Sequence, residues 1–139
     1  MEKIILLNPP LYFAAGKPYA LDTSVPPLGL LYLASYINKL SHRFRAVVID
    51  IPAEGLSLKA IGHRLNRFKP FAVGITAMTP QLQGAVELAQ FIKSHCHFKT
   101  KIFLGGAHIS ADPDFINRFA ELFDYGIIGE AEKTFLDAL

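Results

Sequence analysis

The chain carries one cysteine, Cys96, in 139 residues, and that scarcity excludes several chemistries at once. A single thiol closes no intramolecular disulfide, supplies no Cys-x-x-Cys pair and holds no iron–sulfur cluster by itself. A reducing, cytoplasmic setting is the expectation. No apolar run approaches the roughly 18 residues of a membrane span. The first residues also lack the basic region, long apolar core and cleavage site of a secretory signal, so no membrane partner is expected. Charge is scarce as well: 19% of residues are charged, the formal net charge is +2, and Lys and Arg form no stripe, which argues against nucleic acid as a partner. Glycine is missing where a phosphate binder needs it. The first strand runs into Asn8-Pro9-Pro10, with neither GxGxxG nor GxxxxGK[ST], so nucleotide binding is disfavoured. A phosphorylated receiver domain is disfavoured too, because Asn8, Thr76 and Gly129 stand where it would need an acidic pair, an aspartate and a lysine.

What the chain does have is apolar material, at 51% of residues, enough for one domain with its own core. The stretch 71–79, Phe-Ala-Val-Gly-Ile-Thr-Ala-Met-Thr, reads as a strand buried on both faces that ends in small and hydroxylated residues. Residues 3–7, 44–50, 101–104 and 123–128 read as further strands. Between them, helical spacing predicts helices over 27–40, from Ser57 as N-cap to about 68, over 80–95, and over 113–122 with Asp112 as N-cap. Pro52 and Gly55 mark 51–55 as a loop. Strands alternating with helices predict a doubly wound α/β fold, flavodoxin-like (Rossmann-like), with a five-stranded parallel sheet of order 2-1-3-4-5 and helices on both faces. Its ligand crevice should lie beyond the carboxyl ends of the strands. The last helix, from Glu132, shows no stop signal, which suggests an N-terminal piece of a longer protein.

The crevice would be rimmed by Asn8, Asp50, residues 76–79, Gly105-Gly106 and Gly129-Glu130. The segment 9–26, with prolines at 9, 10, 18 and 26 and aromatics at 12, 13 and 19, is either a surface loop or a lid. His95-Cys96-His97 resembles a metal cluster, but adjacent residues near a helix end point apart, so no metal is expected there. His108 either lines the pocket or bonds within its own loop. Glu130 and Glu132 form an acid/base pair or complement a helix dipole. No nucleophile with an adjacent base appears, so no catalytic residue is assigned.

Five landmarks in order, Asn8-Pro-Pro, Pro-Pro-Leu-Gly-Leu-Leu-Tyr-Leu-Ala at 26–34, Val73-Gly-Ile-Thr, Gly105-Gly-Ala-His and Gly129-Glu-Ala-Glu, resemble those of a known family. It is the cobalamin (vitamin B12)-binding domain that precedes a radical S-adenosylmethionine domain in methyltransferases and anaerobic oxidative cyclases. The resemblance covers nearly the whole chain. It implies cobalamin as cofactor, held by Asn8, Pro9, Asp50, Thr76, Met78, Thr79, Gly105, Gly106, His108, Gly129 and Glu130. The nucleotide tail would run beside Gly105-Gly106, whose lack of side chains opens a slot, with Thr76 and Thr79 offering hydroxyls; alternatively the threonines only cap the next helix. A valine at 106 should then fill the slot and leave the fold largely intact. Many cobalamin domains carry Asp-x-His-x-x-Gly, whose histidine ligates cobalt from below. This chain has Asp50-Ile-Pro52-Ala-Glu-Gly55, and proline ligates no metal. The resemblance therefore implies base-off cobalamin without a protein histidine, with Asp50 left to bond nearby loop amides. It also implies a C-terminal radical S-adenosylmethionine domain on the same polypeptide, which would hold a 4Fe-4S cluster and S-adenosylmethionine. On this reading the chain alone carries the cofactor and does not turn over substrate. The other readings are an α/β binding or interaction domain that has lost the corrin, and a small α/β enzyme using Glu130 or His108.

Overall fold

Ile4, Ile5, Leu6 and Leu7 are each 0% exposed in the computed structural model, which describes residues 1–21 and 25–139. A strand with no exposed side chain on either face needs cover on both. This strand, β1 (Glu2–Asn8), joins β4 (Phe44–Asp50), β5 (Ala72–Thr76), β6 (Lys101–Gly105) and β7 (Tyr125–Gly126) in a parallel sheet of order β4-β1-β5-β6-β7. Counted among these five, the order is the expected 2-1-3-4-5.

Alternation of side chains divides the core in two. Leu6, Ala72 and Phe103 face α1 (Leu28–Leu40) and α7 (Glu132–Ala138), where Leu30, Leu33, Ile37 and Phe135 complete one layer. Leu7, Val73, Ile75 and Leu104 face α3 (Leu58–Phe68) and α4 (Leu82–His95), where Leu65, Ala85 and Leu88 complete the other. The chain leaves β1 through α1 on one face and reaches β5 through α3 on the other. The sheet therefore has its switch point beside β1, where open α/β sheets place their ligand crevice. The register sets Asn8 against Asp50 and Thr76 against Gly105 at that end.

Ser57 caps α3 as expected, its Oγ accepting from the Ala60 amide at 3.1 Å. Four segments differ from expectation. Within 9–26, residues form a hairpin of β2 (Tyr12–Ala14) and β3 (Lys17–Tyr19), turning on Ala15 and Gly16 at φ 51 and 78, the left-handed conformation of a two-residue turn. Phe13 is only 7% exposed in the α3/α4 core layer, the Tyr12 and Tyr19 rings stack at 4.7 Å, and the Leu58 amide donates to Gly16 O at 2.8 Å. The hairpin is thus a packed part of the fold, neither a loose loop nor a lid. The expectation for 22–24 lies outside the described residues.

Residues 51–55 are a one-turn helix, α2 (Ile51–Glu54), because a proline is tolerated in a first turn and Gly55 closes it at φ 65. The helix expected over 113–122 is replaced by α5 (Ala107–Ala111) and α6 (Phe115–Arg118). Asp112 ends α5 rather than starting a helix, its amide donating to His108 O at 2.8 Å. This break lets both Ile109 and Phe115 reach the core, at 1% and 5% exposure. The last strand contracts to two residues. Phe123 enters the core, and Asp124 holds Ile102 twice, its amide donating to Ile102 O and its carboxylate accepting from the Ile102 amide, each at 2.8 Å.

Candidate cofactor site

The face of the sheet toward α1 and α7 lacks side chains where two glycines fall on it. Gly74 lies in register between Leu6 and Phe103, and Gly105 lies beside Thr76. Leu6 and Phe135 pack over Gly74, where a β-carbon would lie 2.8 Å from Leu6 Cδ2, whereas Gly105 borders a slot of about 230 Å³ between sheet and helices. Gly29 on α1 and Gly129 after β7 border it, and a β-carbon on either would meet nothing within 4 Å. A β-carbon on Gly105 would find Ile127 O no nearer than 3.9 Å. The inner walls are hydrocarbon: Leu30, Leu33, Phe103, Ile127 and Phe135, all 7% exposed or less. Thr76, Gly106, Glu130 and Glu132 also line it, at the ends of β5 and β6 and in the segment entering α7.

A second cavity, of about 430 Å³, opens over the ends of β1 and β4, between Asn8-Pro9-Pro10, Pro26-Pro27, Asp50, Pro52, Met78 and Gln81. Its floor is tied by a chain of side-chain amides. Asn8 Nδ2 donates to Asp50 Oδ1 at 3.0 Å, Gln81 Nε2 donates to Asn8 Oδ1 and to Pro9 O, both at 2.9 Å, and the Met78 amide donates to Gln81 Oε1 at 3.0 Å. Every donor meets an acceptor, so the orientation of both amides is set by the network. Pro10 is pinned from below: a β-carbon on Gly84, in the first turn of α4, would collide with the Pro10 carbonyl, and the Gly84 amide donates to Leu11 O at 2.9 Å.

Of the residues expected to hold the cofactor, Thr76, Gly105, Gly106, Gly129 and Glu130 line the slot, while Asn8, Pro9, Asp50 and Met78 line the second cavity. Thr79 and His108 line neither. Thr79 Oγ1 lies 3.1 Å from His108 Nδ1, and the His108 amide donates to Ala77 O at 3.2 Å, so this pair clamps the loops after β5 and β6 to one another. The other ring nitrogen of His108, Nε2, faces the Asp112 carboxylate at 3.6 Å, and Arg118 holds that carboxylate at 2.5 Å. Among the described residues, Asp50 accepts from the Asn8 side chain rather than from loop amides.

The two glycines of the pair differ. Gly106 has φ 101, and a β-carbon there would sit 2.7 Å from both Ala77 N and Ala77 O. A valine at 106 would therefore damage the loop crossing instead of filling the slot; Gly105 is the residue with open space above it. Gly29, Gly74, Phe103, Phe135 and Gln81 were not among the expected site residues. Gly29 and Gly74 lie inside two of the five ordered landmarks, whereas the bonds of Gln81 to Asn8 and Pro9 leave no local signal, because those partners are 73 and 72 residues away.

Outside the crevice, the His95 ring stacks on Phe91 at 4.3 Å, and the His97 amide donates to Asn66. Burial pushes the Cys96 thiol up from its ordinary pKa. Among the described residues, no three His, Cys, Asp or Glu side chains are grouped to hold a metal ion, and no helix is long and apolar enough to cross a membrane.

The family model for the B12 binding domain matches residues 20–139. The chain is 34% identical, over 99% of its length, to an uncharacterized methyltransferase of Pyrococcus horikoshii, of which it spans 29%. Its fold is similar to that of the cobalamin-dependent S-adenosylmethionine radical enzyme OxsB, solved with aqua-cobalamin and S-adenosylmethionine bound (TM-score 0.77) and with aqua-cobalamin bound (TM-score 0.76). Identity to OxsB is 21%, over 99% of this chain and 18% of that one.

Proposed function

The chain belongs to the family of B12-binding domains, and from that membership we propose that it binds cobalamin base-off, with no protein histidine on the cobalt, and presents it to a downstream catalytic domain. The observation that carries this reading is the pairing of an apolar slot bordered by glycines with a second cavity at the ends of β1 and β4, lined by Pro52 where a ligating histidine would otherwise stand. Gly29, Gly105 and Gly129 leave the slot open to the tail, and its inner walls are hydrocarbon. The clasp of Asp50, Asn8, Gln81 and Met78 ties together the polar groups that line the second cavity with Pro52. His108 is engaged with Thr79 and lines neither cavity, so it offers no imidazole.

When bound, cobalamin supplies a cobalt centre able to accept and hand on a methyl group. This end of the sheet also exposes Leu21, Val25, Met78 and Ile128, at 82%, 64%, 61% and 56%, an apolar rim suited to cover by a corrin and a second domain. The methyltransferase of Pyrococcus horikoshii is more than three times as long as the segment it shares with this chain. We place a radical S-adenosylmethionine domain, with its 4Fe-4S cluster, in the corresponding remainder, and methyl transfer as the reaction of the whole.

The test is to mix the protein with hydroxocobalamin, pass it down a desalting column and follow corrin absorbance. Comigration is expected. Electron paramagnetic resonance of the bound cob(II)alamin should then give cobalt lines without nitrogen superhyperfine splitting. Loss of the corrin on the column favours a domain that keeps the fold without the cofactor, and a nitrogen triplet overturns the histidine-free assignment.

A further inference from the structure

We infer that the end of the sheet opposite the crevice binds a small anion carrying several phosphate groups, a site independent of the cobalamin reading. Two cavities open there, of about 450 and 310 Å³, and share Phe71 and Lys99. Lys93 and Lys101 line the larger, Lys3 and Lys69 the smaller. These five lysines come from four segments of the chain and meet only in the fold. The Phe71 amide donates to Lys3 O at 2.8 Å, and the Lys101 amide donates to Phe71 O at 3.4 Å. Charge is thereby segregated along the strands. Asp50, Glu130 and Glu132 line the crevice cavities, and among the described residues no lysine or arginine does. At the opposite end the lining carboxylates are Glu2 and Asp124, and both are engaged. Arg43 Nε donates to Glu2 at 2.8 Å, and Asp124 accepts from Lys93 at 3.5 Å and from the Ile102 amide at 2.8 Å.

Two of the lysines have a local reason to be there. Lys69 is the C-cap of α3 and Lys93 lies in the last turn of α4, where a cation complements the helix dipole. Lys3, Lys99 and Lys101 belong to neither helix, and among the described residues none of the three forms an ion pair. Aromatic faces hold two of their ammonium groups, Lys3 over Phe68 at 4.3 Å and Lys101 over Tyr125 at 5.5 Å. Like charges gathered in this way repel, and an anion between them relieves the repulsion. Every cationic side chain of the two linings is a lysine. An ammonium is a compact charge with three donors and serves phosphate oxygens well, whereas a planar carboxylate is matched by the fork of an arginine. Thr100 Oγ1, buried at the larger cavity and without a partner among the described residues, supplies a hydroxyl to a phosphate oxygen. Lys3 and Lys101 start strands two places apart in the sheet, about 10 Å, so a chain of phosphates spans the cluster and a single phosphate does not.

The experiment is calorimetric titration of the protein with inorganic tripolyphosphate. One equivalent should bind. Lys99→Gln and Lys101→Gln should each weaken binding about tenfold, the loss of one charge-assisted hydrogen bond, with Tm unchanged or raised because a like charge is removed. Lys17→Gln, on the hairpin, should bind as the parent does. No binding by the parent, or an equal loss in Lys17→Gln, overturns the site. A single-stranded oligonucleotide that displaces tripolyphosphate through the same lysines overturns the small-anion assignment in favour of nucleic acid. Hydroxocobalamin should bind equally well with and without tripolyphosphate, so this inference and the cobalamin reading stand or fall separately.

Discussion

Replacing Gly105 by valine separates the slot from the fold more cleanly than any other single change. The β-carbon it adds points into space whose nearest atoms are Ile127 O at 3.9 Å and Ile127 Cβ at 4.0 Å, both ordinary contact distances. Gly105 closes β6 and is not among the glycines with positive φ, so its backbone suits a β-branched residue. The protein without cofactor should therefore gain roughly 0.5–1 kcal/mol, the usual cost of a glycine inside a regular element, seen as a rise in Tm of a few degrees. The cofactor should respond in the opposite sense. The two methyl groups occupy part of a slot of about 230 Å³, and overfilling a packed apolar site costs about 1–3 kcal/mol, a weakening of roughly 5- to 150-fold. Titration of the variant with hydroxocobalamin reads the affinity, and titration with cobinamide provides the control, because a corrinoid without a tail should bind variant and parent alike. A well-folded Gly105→Val protein with unchanged hydroxocobalamin affinity would refute the placement of the tail. A variant that melts lower would refute the claim that the space above Gly105 is open.

Three other substitutions probe the same geometry, and a fourth test concerns Cys96 outside the crevice. Gly106→Ala should destabilise the protein by about 2 kcal/mol or more in a denaturant melt, since it combines φ 101 with a β-carbon 2.7 Å from the Ala77 backbone; a neutral result would mean that the loops after β5 and β6 do not cross as described. Pro52→His should restore an axial nitrogen and produce a triplet on the cobalt lines of bound cob(II)alamin, and its absence would count against the second cavity lying beneath the metal. Gln81→Ala removes three hydrogen bonds of the crevice floor and should cost about 1–2 kcal/mol in chemical denaturation, given their partial exposure; no loss would show the clasp to be idle. Cys96, whose thiol is pushed up by burial, holds less thiolate than a free cysteine at the same mildly alkaline pH and should alkylate more slowly with iodoacetamide. Equal rates would contradict its partial burial.

The sequence by itself determined the sheet, because its information there is local. An unbroken apolar run such as Ile4-Ile5-Leu6-Leu7 admits only a strand covered on both faces, Asn8-Pro9-Pro10 stops it, and Ser57 supplies the hydroxyl that caps α3. The open parallel sheet and the place of its crevice followed from alternating strands and helices. The glycine pair was visible too, but not the difference within it. Gly105 and Gly106 are adjacent, and only the paired strand and the crossing loop decide that one borders open space while the other is pressed against Ala77. The same holds for Gly84, which looks like a weak helix residue until the Pro10 carbonyl is brought against it, and for the bonds of Gln81 to Asn8 and Pro9, more than 70 residues away. The hairpin at 12–19 and the split of the expected helix at 113–122 were likewise settled by burial, of Phe13 in one case and of Ile109 with Phe115 in the other. Periodicity records which face of an element is apolar; what that face meets depends on contacts between distant segments, and these exist only once the chain has folded.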